Sequence, residues 1–186
     1  MWKTIRRVLF GESQDQICSR PEYIDLPQPL KLILKETAWS DMRSATGGDA
    51  ARVPDALLDL FSRNKNQAVA AADALWNLLC HQRVRLSEAA VPAAPVIFYA
   101  LEKSTEPELL GELLEVLWGF AELCDVTGWE EVPDYLEELL LVLERNRHIL
   151  RALAGHEHED VSETARIVLE NLDTAKRRSW PRRGST

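Results

Sequence analysis

Apolar residues from about residue 53 onward recur at spacings of three, four and seven, the period of an amphipathic helix, and no alternating apolar run of strand length interrupts them. Pro54 opens a short apolar segment that runs through Phe61 and is broken by Ser62–Asn66. A second segment, Gln67–Gln82, carries Val69, Asp73, Trp76, Leu79 and Cys80 on successive turns and completes a helical hairpin. Ser87 and Glu88 begin the next helix, with Pro92 near its first turn and Pro95 making its start irregular or kinked, and it continues to Lys103. Pro107 suits the first helical position of the following helix, which holds Leu110, Leu113, Leu114, Leu117, Ala121 and Cys124. After a turn over 125–128, Pro133 opens one long helix through Leu136, Leu139, Leu140, Leu143 and Leu150, ending near Gly155 as its C-cap, and Ser162–Leu172 supplies its partner.

Three helix pairs therefore follow one another. Ala74-Leu75-Trp76 and Val116-Leu117-Trp118 lie 42 residues apart, an offset that matches a helical-hairpin repeat of about 40 to 47 residues. Ahead of the pairs, Leu30–Trp39 reads as a helix after Pro27-Gln28-Pro29. Ser40–Arg52, with Gly47-Gly48, reads as a polar loop. The first ten residues are expected to form an amphipathic helix that caps the stack, because a terminal repeat needs its outer face covered. The organisation expected is an N-terminal helical cap and loop over 1–52, helical repeats over 53–175 and a basic tail over 176–186.

Over residues 53–175 the chain resembles the HEAT-like helical repeats. The residues that carry the resemblance are the hairpin period and Leu75-Trp76-Asn77-Leu78-Leu79-Cys80-His81-Gln82 followed by Ser87-Glu88-Ala89-Ala90-Val91-Pro92, similar to bacterial HEAT-repeat proteins. The resemblance implies an all-α fold, a short α-solenoid of HEAT-like hairpins that holds another macromolecule, and it implies nothing about catalysis. Small acidic bacterial proteins of this kind resemble the immunity proteins of toxin systems, which implies an antitoxin that occludes a basic toxin domain. Two other functions associated with HEAT-like folds are a scaffold for an endogenous complex and, among enzymes, a lyase or a DNA glycosylase; the latter needs a basic groove.

Charge sharpens this picture. The chain has a net charge of −8, yet residues 102–144 hold thirteen carboxylates against one base, Lys103. Leucine is abundant in the same window, so it reads as folded helix with an acidic surface rather than a disordered acidic tail. Such a field acts on partners more than on fold. Glu108, Glu112, Glu115 and Glu122 fall at offsets that place them in one stripe along a single helix face, with Gly119 at the position between, and no base sits three or four residues away to relieve them. Trp129, flanked by Glu130, Glu131 and the nearby Asp134, is the aromatic expected to anchor an interface. These eight residues form the expected docking surface for a basic protein, with an ordinary solvated face as the alternative. Gly119 fits close approach of a partner and close packing between helices equally well.

Other chemistry is sparse. The carboxylates look alike and exposed, so no acid/base pair is expected. Their spacing matches neither an EF-hand loop nor a Glu-x-x-His helix. His156-Glu157-His158-Glu159-Asp160 reads as a polar turn, and His81 as a C-terminal cap rather than half of a Cys–His pair. Trp76 and Trp118 are expected in the core, while Trp39 and Trp180 lie with Trp129 at helix ends or in loops, where an aromatic can anchor an interface. Cys18, Cys80 and Cys124 are odd in number and widely spaced, which fits a reducing compartment and, with no signal-like apolar run at the N-terminus, a cytoplasmic location. No membrane-spanning run, no cofactor motif and no general nucleic-acid patch is expected, the pI being about 5.1.

Overall fold

Leucine and alanine dominate the helical stretches, and their apolar stripes decide which helices meet. The computed structural model describes residues 20–125 and 133–177. The described residues are all-helical, the only strand-like pairing among them being an isolated bridge between Arg43 and Asp49. Two short helices, α1 (Pro21–Asp25) and α2 (Gln28–Glu36), and a 3-10 turn at Trp39–Asp41 precede α3 (Val53–Asp59) and α4 (Lys65–Cys80). A 3-10 turn, His81–Arg83, leads on to α5 (Ala90–Lys103) and α6 (Pro107–Leu123). The last three are α7 (Asp134–Arg145), α8 (Arg147–Leu153) and α9 (Glu159–Arg177).

Helix α6 is the centre of the packing. Leu109, Leu110, Leu113, Leu114, Val116, Leu117, Phe120 and Ala121 are all buried, because α4 packs on one side of it and α9 on the other. Each such large side chain contributes about 1.5–3 kcal/mol on burial. On the opposite layer α5 contacts both α3 and α7. Leu136, Leu139 and Leu143 of α7 are wholly buried, and Leu141 on its outer face is 51% exposed.

Three expectations are corrected. The long helix over 133–155 is two, broken at Asn146, whose Nδ2 donates to the Val142 carbonyl at 2.9 Å and so competes with the backbone ladder. The helix expected from Ser87 begins at Ala90 as α5, and it continues through Pro95 with Ala93, Ala94, Val96, Ile97 and Phe98 buried around that residue. The stretch 40–52 is less polar than it reads: Ala45 and Ala50 are buried, the Ala45 N–H donates to the Leu78 carbonyl at 2.7 Å, and Ser87 Oγ donates to the Arg43 carbonyl at 2.6 Å. This loop is therefore pinned to both ends of the α4–α5 connection. The expected helical cap over the first ten residues lies outside the described residues, and the basic tail is described only as far as Arg177, inside α9.

Candidate functional site

Pro107 starts α6, and burial of Leu109, Leu110, Leu113, Leu114 and Leu117 fixes its rotation, so Glu108, Glu112, Glu115 and Glu122 stand on the side of α6 next to α4. Relief comes from α4 and from the turn that follows it. Lys65, at the start of α4, places Nζ 3.2 Å from Glu106 and 3.2 Å from Glu108. Arg83 places Nη2 2.7 Å from Glu115 Oε2 and Nε 3.6 Å from Glu122 Oε2. Both bases lie far from α6 in sequence, outside the spacing of three or four residues along that helix.

Arg83 has unusual surroundings. Its φ is +53°, in the left-handed region that non-glycine residues seldom adopt. Its Cζ lies 3.5 Å from the ring centroid of Trp118 and 5.4 Å from that of Trp76. Its Nε is buried and has no hydrogen-bond acceptor among the described residues. Trp76 and Trp118 are thus only partly buried, not wholly in the core as expected, because each offers a ring face to this guanidinium. Both rings reach Arg83 where Gly119 lets α6 approach α4: a Cβ there would meet Cys80 Sγ at 2.8 Å and Trp76 Cζ3 at 2.9 Å. Helix packing accounts for Gly119.

Glu112 is the member of the stripe without a cation. It is partly buried and makes no ion pair or hydrogen bond within the described residues. Burial, reinforced by Asp73, Glu115 and Glu108, holds its carboxyl above the usual carboxylate range. Asp134 stands exposed on another element, at the first turn of α7, where Glu137 and Glu138 are also exposed beside Leu141. Trp129, Glu130, Glu131 and Trp180 lie outside the described residues.

The remaining candidates resolve into structure. Trp39 is buried, 4% exposed, and its Nε1 donates to the Leu34 carbonyl at 3.2 Å, so it secures the end of α2 rather than anchoring an interface. The His81 ring stands 3.4 Å from Asn77 Oδ1, one turn back in α4. His156 and His158 stack at 5.5 Å, and His156 Nδ1 accepts the His158 N–H at 3.1 Å, as a polar turn would. Among the described residues no group of three or more His, Cys, Asp or Glu side chains is placed to hold a metal ion. Burial pushes the Cys80 and Cys124 thiols up, which keeps both out of nucleophilic chemistry near neutral pH. A groove of about 450 Å³ opens between Arg43, Ser44, Arg85, Leu86, Glu88 and Tyr135, and the Tyr135 hydroxyl donates to the Leu86 carbonyl at 3.0 Å.

The described residues thus define an all-helical protein with an acid-rich patch around two tryptophans on the face shared by α4 and α6. No helix among them is long and apolar enough to cross a membrane. No protein-family model matches the chain, and no curated protein or solved structure matches it at a significant level.

Proposed function

We propose that this chain is a non-catalytic binding module of HEAT-like helical hairpins whose acidic face holds a basic protein. In toxin immunity, that partner is a toxin domain whose cationic active site the face occludes. Support for the repeat reading comes from the order of packing: α4, α6 and α9 neighbour one another in sequence order, as do α3, α5 and α7. Glu112 carries the functional reading. A partly buried carboxylate ringed by Asp73, Glu108 and Glu115, with no cation of its own, costs stability and is relieved by a positive charge supplied from outside. Glu137 and Glu138, on α7 in the other helix layer, form a separate exposed acidic patch beside the exposed Leu141.

The experiment is a titration with the product of the adjacent reading frame at about 50 mM and about 300 mM salt, where screening lengths differ more than twofold. Association is expected to slow by about tenfold or more at the higher salt, and Glu112→Lys to weaken it by at least as much. Salt-independent binding that also tolerates Glu112→Lys and Glu115→Lys rules this surface out. Loss of protection against that product's toxicity in the Glu112→Lys strain separates the immunity role from a scaffold role, in which the neighbour is not toxic.

A further inference from the structure

Trp76, Trp118, Glu115 and Glu122 have the make-up of a cation cage: two aromatic faces and two carboxylates around one guanidinium. The cage opens at the surface, since the side chains of Arg83, Glu115 and Glu122 are 27%, 39% and 47% exposed. We propose that this cage receives an arginine side chain of the basic partner and that Arg83 is its occupant in the unbound protein, held there until displaced. The inference rests on the reading of the chain as a binder of a basic protein.

Three observations favour exchange over a permanent lock. Arg83 reaches the cage from a left-handed backbone, a conformation that costs a non-glycine residue energy and is relieved when the turn relaxes. It fills the cage imperfectly: one Nη2–H bonds Glu115, whereas Nε, 3.6 Å from Glu122, is buried without an acceptor. The short tether from the end of α4 fixes how its fork meets the carboxylates. An arginine entering from solvent carries no such tether, so it can turn its planar fork toward Glu115 and Glu122 while stacking on Trp118. Third, the tip of the turn stands in solvent, with Val84 71% exposed and Arg85 exposed after it, so the motion needed is confined to Arg83–Arg85, short of the anchored Leu86 and Ser87. Glu112, with Asp73 and Glu115 both near it, adds negative charge beside the cage and steers a cation toward the opening.

The 3.5 Å stacking distance over Trp118 favours a flat guanidinium over a compact, strongly hydrated ammonium. The test therefore uses Arg83→Ala, which vacates the cage, with ethylguanidinium and ethylammonium as probes and tryptophan fluorescence as the readout. Ethylguanidinium is expected to change the emission of Arg83→Ala saturably, at concentrations about tenfold below any effect on the wild type or of ethylammonium on the variant, and to lose this effect in Arg83→Ala/Trp118→Leu. An arginine-rich peptide is expected to bind Arg83→Ala about tenfold more tightly than wild type, and a lysine peptide of equal charge to gain no more than it does from Arg85→Ala. Equal gains for both peptides mean that only net charge changed, which overturns the cage. A folded Arg83→Ala protein that ignores ethylguanidinium overturns it as well. If Arg83→Ala does not fold, Arg83→Lys, which keeps the charge and weakens the stack, must still bind the arginine peptide more tightly than wild type does; equal or weaker binding refutes the exchange. A basic partner that binds in the expected salt-dependent way but is indifferent to Arg83→Ala leaves the binding module standing and removes the cage. Ethylguanidinium binding without any peptide or partner binding removes the binding module instead.

Discussion

Gly119 of α6 and Cys80 of α4 meet at a close approach of the two helices: a methyl group on Gly119 would stand 2.8 Å from the Cys80 sulfur. Neither neighbour can give way freely, because Cys80 is fully buried and the Trp76 ring edge, at 2.9 Å, is held by its own packing. Gly119→Ala is therefore expected to lose up to about 2 kcal/mol, an overpacking cost of about 1–3 kcal/mol reduced by about 1 kcal/mol of helix propensity gained. Gly111, on the same helix, is the control, since a Cβ there meets nothing within 4 Å. Gly111→Ala is expected to gain about 0.5–1 kcal/mol. Urea midpoints for the two variants test the pair, and a Gly119→Ala protein as stable as Gly111→Ala contradicts the close approach.

Trp39 closes the end of α2 with a bond that few residues can supply. The last carbonyls of a helix lack intrahelical partners, and the indole N–H reaches the Leu34 carbonyl within a buried setting. Trp39→Phe keeps an aromatic ring but removes the donor and leaves that acceptor unpaired. The expected loss is about 1–3 kcal/mol, read as a drop in thermal midpoint. Binding of the basic partner is expected to stay unchanged, which would not hold if Trp39 were an interface residue.

How far the sequence could be read depended on whether the controlling contact was local. Pro54 and Pro107 set the starts of α3 and α6 within a residue, because proline at the first turn acts through its own φ and missing N–H. The break at Asn146 was hidden, since Leu143 and Leu150 keep a helical spacing of seven across it while the cause is one side-chain bond to Val142. The stripe on α6 was legible as a stripe, but its neutralisation was not. Arg83 and Glu115 are 32 residues apart, and only the crossing of α4 over α6 brings them together. The burial of Trp39 and the pinning of the loop through Ala45 were likewise set by tertiary contacts. The Leu-Trp pair whose offset of 42 residues suggests a repeat also flanks Arg83, a contact no spacing along the chain announces.

The buried thiols give a signature in pH. Burial pushes the Cys124 thiol up from its ordinary 9.0 to about 12, and burial also raises Cys80, with Arg83 pulling the other way and Glu115 adding to the rise. In the unfolded chain both thiols ionise at their ordinary value, while the folded protein keeps them neutral. The sign follows: the stability that neutral burial contributes is complete below about pH 9 and is lost as pH climbs from there toward the folded values, by up to about 1.4 kcal/mol per pH unit for each thiol. Cys124→Ala removes one titrating group, so its unfolding free energy is expected to fall less steeply between pH 9 and pH 11 than that of the parent, although it starts lower because a buried side chain has been cut back. In a Cys18→Ser background, neither Cys80 nor Cys124 is expected to react with a thiol reagent at about pH 8 in native buffer, and both are expected to react in denaturant. Rapid native labelling of Cys80 would show α4 and α6 parting at the Gly119 contact. Parallel pH profiles for Cys124→Ala and the parent would show that Cys124 ionises in the fold as it does in water.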